Sequence, residues 1–449
     1  MDRNATEFPQ FLQRSRSDLL RMLVLVLLSG TAELVLNLKF ASIGILDQYD
    51  VIFDIDPSRI HDNNWMHPLT HVVFFLITRS IAVPAYLVFG CEEILLGKIL
   101  SLHVIPPCMA MLRAFFVYRA VKLLTGSSST ASLVCMLSNF SFATVVFGAI
   151  NDTYVVTGAV VSALVFYTVR IAAGFTKKTD WCAFVLASIL AIGTTSSNVI
   201  FVGWMLWVAL RKFGYGHLNA LAKSIAFSGF LLSVVILMGL MLSLIRHGGY
   251  KHGLKHYGHR YVSRYIPDTQ EQLSNIFRFP ENIARSIIPT SPRITPTPLY
   301  RVIDPYEKKE VGKRFIPYKL TYNGSPVSGW TVVLWLFGLL ILALSNSHWP
   351  TTRSSRDFSR ACGLTVITTG SLYSLFGLTT FLYATYWQIG VIFLLGRFVH
   401  HVNQTRTGTI LLIITMLCLA VADFIVLSDL LEILKNYSRL PGSPSSSES

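Results

Sequence analysis

Apolar runs long enough to cross a bilayer recur along almost the whole of this 449-residue chain. A helical span needs about 20 predominantly apolar residues, and backbone polar groups in lipid must be satisfied within the spanning structure. Charged residues make up 14% of the chain and hydrophobic ones 52%, with a mean hydropathy of +0.52. A soluble protein of this size carries about 25% charge. The expected fold class is therefore an all-α polytopic membrane protein. Residues 1–21 are polar and basic with no small-residue cleavage site, so the first apolar run is expected to stay as a span and not leave with a signal peptide.

Candidate spans lie at 19–40, 95–120, 129–149, 153–174, 181–198, 199–211, 219–245, 329–346, 360–382, 384–397 and 409–432. The run at 68–90 is ambiguous, and charge arbitrates. If it does not cross, one side of the membrane receives the basic N-terminus, Arg119 and Lys122, Arg170, Lys177 and Lys178, Arg211 and Lys212, Arg353, Arg356 and Arg360, and Arg397 and Arg406. The opposite short connections near 150–152, 196–198 and 383–387 carry no Lys or Arg. That is the positive-inside pattern, and a crossing at 68–90 would invert it for every later loop. The run, with its internal Arg79 and Pro84, is read as interfacial or re-entrant. About eleven transmembrane helices follow, with the N-terminus in the cytoplasm and the C-terminus outside.

The expected organisation is an N-terminal transmembrane module over 1–245 with an outward loop at 41–94, a basic outward loop or small domain over 246–328, C-terminal transmembrane helices over 329–437, and a low-complexity, disordered tail at 438–449. The net charge of +14 is concentrated in 246–328. Long loops escape the positive-inside rule. Their basicity is either an ordinary solvated surplus or a surface for an anionic partner such as lipid headgroups or a lipid-linked phosphate.

The most informative short stretch runs from Phe53-Asp54-Ile55-Asp56-Pro57 through Arg59, His61 and Asp62 to Met66-His67-Pro68-Leu69. Ionisable groups beside lipid are expensive. In an extended strand Asp54 and Asp56 share a face, with Phe53 and Ile55 on the other. Two close carboxylates repel, which raises the pKa of one and suits a general base near neutrality. Asp56-Pro57 also reads as a helix start, Arg59–Asp62 as a surface pair and His67 as a polar residue at a bend, and local physics alone leaves both readings open. Asp54 and Asp56 could also supply two oxygen ligands to a divalent cation such as Mg or Mn, with only Asp50 or Asp62 near enough in sequence to add a third.

Other constellations are weaker. The six cysteines form no CxxC, lie mostly in apolar runs, and read as small buried hydrophobes. His247, His252, His256 and His259, interleaved with tyrosines, fit interfacial anchoring better than a metal site, and His400-His401 is expected in a cytoplasmic loop without chemistry. Nucleotide-binding glycine loops and catalytic triads are absent, and nothing points to nucleic acid.

The order of features resembles the GT-C superfamily of integral membrane glycosyltransferases, and within it a group of poorly characterised bacterial proteins. The residues that carry the resemblance are Phe53, Asp54, Asp56 and Arg59 followed by His67-Pro68-Leu69. Looser matches are Ile150-Asn151-Asp152-Thr153-Tyr154, Gly193-Thr194-Thr195-Ser196-Ser197-Asn198 and Phe381-Leu382-Tyr383-Ala384. The first of these lacks the family's proline, and the second matches only with one residue of slack. The resemblance implies a polyprenyl-phosphate-linked sugar as donor and a cell-envelope glycan, lipid or protein as acceptor, at the outer face of a bacterial cytoplasmic membrane. It implies Asp56, or Asp54, as the base of an inverting transfer. Arg59 and His67 are then candidates for the lipid phosphate, Asp62, Asn151, Asp152 and Tyr154 for the substrate pocket, and Arg246 and Lys251 for the phosphate headgroup.

Two other functions compete: a transporter or flippase of a lipid-linked saccharide, and a non-catalytic membrane component of an envelope complex. A transporter places ionisable residues inside its spans, often with repeat symmetry. No internal repeat is visible, and the charge clusters fall in outward loops, which favours the enzyme.

Overall fold

The computed structural model of the chain describes residues 16–44, 72, 103–150, 153–247, 269–296, 300–303, 310–314, 318–322, 329–344, 353–376 and 383–437. The described part is predominantly helical: α1 (Arg16–Ser42), α2 (Ile105–Thr125), α3 (Ser128–Asn139), α4 (Phe142–Gly148), α5 (Thr153–Ala172), α6 (Lys178–Thr194), α7 (Val199–Lys212), α8 (His217–His247), α9 (Thr269–Arg285), α10 (Gly329–Leu344), α11 (Arg353–Phe376), α12 (Ala384–Val402) and α13 (Arg406–Tyr437). A helix overlies each apolar run picked out in the sequence except 68–90, of which only Val72, fully buried, is described.

Among the described residues four helices are long and apolar enough to cross a membrane: α1, α5, α8 and α13. The pair α3–α4, bent by 60°, makes a fifth if it counts as one broken span. The remaining helices are shorter or more polar, so length and composition alone do not establish eleven crossings. Hydroxyls on the helices bond back to the carbonyl one turn earlier, as Ser162 does to Gly158 at 2.7 Å and Ser188 to Phe184 at 2.8 Å. This keeps polar atoms satisfied without water.

Between β1 (Arg293–Pro296) and β4 (Tyr318–Thr321), and between β2 (Tyr300–Ile303) and β3 (Glu310–Arg314), the 246–328 region forms two antiparallel pairs. These short ladders sit outside the all-α expectation. α9 is strongly amphipathic; its C-terminal half is lodged in the bundle, whereas Leu273, Ile276 and Phe277 nearer its start are exposed. Phe279 lies edge-on to Trp387 at 5.6 Å, and Gly338 and Gly370 leave the room that Pro280 and Phe279 occupy. The basic region therefore packs against the helices through the C-terminal half of α9.

Cross-links between helix termini define two ends. At one, Lys122 pairs with Asp18 at 3.3 Å, Arg170 with Asp180 at 2.7 Å and Arg211 with Asp357 at 3.2 Å. Arg119 lies 6.0 Å from the Phe166 ring, and Trp181 lies 5.9 Å from Phe213, which aligns these termini at one level. The described basic residues among those singled out in the sequence gather here. The connection after α2 turns on Gly126, whose φ of 70° lets its N–H reach the Lys122 carbonyl at 2.8 Å. His400 is not in a loop: it is in the last turn of α12, 3.3 Å from the Thr130 hydroxyl.

The core is continuous through α2, α3, α5, α7 and α12, with Trp387, Phe142, Phe147, Phe184 and Phe201 fully buried. Cys135 and Cys362 are buried as expected, but Cys182 and Cys418 are exposed on the helix surface, so the buried-hydrophobe reading holds for only part of the set.

Candidate functional site

At the end opposite the basic one, α1 finishes at Ser42, just before the Asp54–Leu69 stretch. Asn37 fixes this end. Its amide donates to the Ala149 carbonyl at 2.7 Å, and its Oδ1 meets His103 Nδ1 at 2.6 Å, tying α1 to α2 and to the end of α4. Fully buried Asn37 thus has both halves of its amide used.

Beside it is a tyrosine cluster. The Tyr373 and Tyr383 rings stack at 4.0 Å with 9° between their planes. Tyr386 lies 5.2 Å from Tyr373, and Tyr154 lies 5.5 Å from Tyr386. Ser197 bonds the Tyr373 hydroxyl, and Thr195 meets the Tyr386 hydroxyl at 3.1 Å. The 3-10 turn Ser196–Asn198 is held because the Asn198 amide caps the end of α6, donating to the Ala191 carbonyl at 2.9 Å. Tyr154, Tyr373 and Tyr386 are buried, whereas Tyr383, Thr195 and Ser197 are half-buried and form the accessible edge. The three loosely matched stretches of sequence, around Tyr154, Thr195–Asn198 and Tyr383-Ala384, therefore meet in space.

Gln388 anchors the same region from below. Its Nε2 donates to the Ser141 hydroxyl at 2.6 Å and to the Ser286 carbonyl at 3.0 Å, while Thr144 donates to its Oε1 at 3.1 Å. The first amides of α4, at Phe142 and Ala143, bond the carbonyls of Ile287 and Ser286 at 3.2 and 3.1 Å. The break between α3 and α4 is thus sealed by the chain that follows α9, which binds the 246–328 region to the cluster's floor.

A second feature lies within the bundle. Glu33 of α1 and Arg113 of α2 are 3.4 Å apart, both buried, and Gly148 stands against the Glu33 carboxylate with no space for a Cβ. Between α1 and α13 runs a cleft of about 1270 Å³ lined by Glu33, Arg113 and Asp423. Asp423 is 3% exposed, and neither carboxylate oxygen has a hydrogen-bond partner.

Of the residues expected to act, Asp54, Asp56, Arg59, Asp62, His67, Asn151, Asp152 and Lys251 lie outside the described residues, as do the histidines at 252, 256 and 259. The backbone of Arg246 lies near the end of α8, but its side chain is likewise outside them. Tyr154 is the one expected site residue whose surroundings are described. Among the described residues no group of three His, Cys, Asp or Glu side chains is placed to hold a metal. Sequence reasoning passed over Glu33, Arg113 and Asp423. A lone ionisable residue inside an apolar run was the available signal. These groups also correct the expectation that ionisable residues concentrate in loops.

No protein-family model matches the chain, and no curated protein or solved structure matches it.

Proposed function

We propose that the chain is a GT-C-type membrane glycosyltransferase of about eleven spans with a cytoplasmic N-terminus. It moves a sugar from a polyprenyl-phosphate donor to a cell-envelope acceptor on the non-cytoplasmic face. The observation that carries the reading is the convergence of Tyr154, Thr195, Ser197 and Tyr383 at the end of the bundle where α1 finishes. Stacked rings edged by hydroxyls suit a sugar: ligand sites are mostly apolar and aromatic, with a few placed polar groups. The gathering of basic residues at the opposite end supports the orientation through the positive-inside rule.

In this reading the acceptor hydroxyl attacks the anomeric carbon and its proton passes to Asp56, or to Asp54. The bond from that carbon to the phosphate oxygen breaks, and the electron pair leaves on the lipid phosphate. The phosphate is already a good leaving group, so the chain needs chiefly a base and cations near the departing charge. Arg59, His67 and the basic 246–328 region supply those cations in the proposal.

The alternative of a transporter or flippase gains one specific observation, the Glu33–Arg113 pair and Asp423 inside the bundle. The purified protein, incubated with synthetic polyprenyl-phosphate sugars and envelope acceptors, discriminates the two. Covalent transfer supports the enzyme. Movement of the intact donor across liposomes without transfer supports the transporter and overturns the enzyme.

A further inference from the structure

Asp423 presents a problem of charge that the proposed transfer reaction does not use. It lies 17 residues from the start of α13 and 14 from its end, so a rise of about 1.5 Å per residue puts it near the middle of a helix long and apolar enough to cross a membrane. A carboxylate there is costly unless a positive group or donor meets it. Glu33 has Arg113, but Asp423 has neither cation nor donor within hydrogen-bonding distance.

The carboxylate lines a cleft with room to spare. The volume of about 1270 Å³ exceeds the upper end of ordinary small-molecule sites, about 1,000 Å³. Its walls are mainly apolar, and several of its lining side chains are open to the surroundings: Leu28 is 60% exposed, Val35 55% and Phe424 72%. Those residues are on the outward faces of α1 and α13, so the cleft opens sideways, toward lipid. A ligand entering from the hydrocarbon must be apolar, and one that rests on Asp423 must be positive.

We propose that the cleft between α1 and α13 is a binding site for lipophilic monocations, such as aryl or alkyl ammonium or phosphonium compounds, with Asp423 as counter-ion. The apolar walls hold the hydrocarbon, and Asp423, buried and without a hydrogen-bond partner on either oxygen, selects the charge; Lys39, Glu432 and Lys435 also line the cleft but are exposed. Glu33 is occupied by Arg113 and does not substitute for it. This inference stands apart from the glycosyltransferase reading, since it needs neither Asp54 nor Asp56.

The test is binding of radiolabelled tetraphenylphosphonium to the purified full-length chain in lipid nanodiscs. The site predicts saturable binding, competition by tetraalkylammonium and none by neutral triphenylphosphine oxide. Asp423→Asn should weaken binding at least tenfold while leaving the melting temperature unchanged or raised. Ala420→Trp, which fills the cleft and leaves every charge in place, should also abolish binding. Equal binding by Asp423→Asn and wild type, or displacement by the neutral analogue as effective as by the cation, would overturn the proposal. So would a cleft closed by a second copy of the chain, seen as a dimer that cation does not dissociate and Ala420→Trp does.

Discussion

Gly148 and Glu33 are in direct contact: the glutamate carboxylate fills the space that a Cβ at position 148 would need. The contact holds Glu33 toward Arg113, although the pair meets at only 3.4 Å and leaves Glu33 Oε2 and Arg113 Nε without partners. Arg113→Ala should cost about 3–5 kcal/mol, because it strands a buried charge. The double variant Glu33→Leu/Arg113→Leu should come close to wild type or exceed it, since apolar replacement of both partners is often neutral or stabilising by about 1–4 kcal/mol. Thermal unfolding in detergent separates the two. A double variant less stable than Arg113→Ala would show that the pair does more than satisfy itself.

Gln388 joins three elements through one side-chain amide. Gln388→Leu removes three hydrogen bonds and leaves the Ser286 carbonyl and the Ser141 and Thr144 hydroxyls to find others. At roughly 1 kcal/mol per bond the expected loss is about 2–3 kcal/mol. Protease cleavage in the 286–328 region should accelerate in the variant, because the chain after α9 loses its hold on α4 and α12. Unchanged cleavage would contradict this role.

The tyrosine cluster predicts a split between stability and activity. Tyr386→Phe keeps the rings and removes the bond to Thr195, so it should cost about 1 kcal/mol. Tyr383→Ala removes the half-buried ring of the stacked pair, and transfer activity should fall at least tenfold through a raised KM, with the melting temperature little changed. A normal KM in Tyr383→Ala would separate the cluster from the substrate site.

Alkaline pH should loosen the chain after α9. Tyr322 is buried, donates its hydroxyl to the Thr290 carbonyl, and lies under the Arg285 guanidinium at 4.2 Å. Burial pushes its phenol above the ordinary value of about 10, and this outweighs the opposing influence of the Thr290 side chain and the nearby arginine. A group whose folded pKa is raised contributes stability that is complete below the unfolded pKa and is lost as pH rises through the folded one. Melting temperature should therefore decline above about pH 10, and Tyr322→Phe should flatten that decline.

The helices were legible because a run of apolar residues leaves few alternatives in lipid. A helix overlies every such run outside 68–90, from α1 at Arg16–Ser42 to α13 at Arg406–Tyr437. What the residues did not disclose was how polar groups pair across distance. Asn37 with Ala149, Gln388 with Ser286 and Arg113 with Glu33 each join partners about 80 or more residues apart. No local spacing marks such pairs. The amphipathic pattern of α9 was readable in principle, but not that Phe279 and Pro280 pack its C-terminal half against Trp387, Gly370 and Gly338. The tyrosine site was half legible. Tyr154 stood in a recognisable stretch, but Tyr373 and Tyr386 are ordinary tyrosines until the fold stacks them.

The proposed transfer depends on Asp56 or Asp54 as its base, and the single-turnover rate of sugar transfer from a synthetic polyprenyl-phosphate donor by wild type, Asp56→Ala and Asp54→Ala tests that dependence. One of the two variants, Asp56→Ala first, should lose at least a hundredfold in rate, in line with the contribution of a general base. Transfer by wild type that persists undiminished in both variants would contradict the assignment of the base.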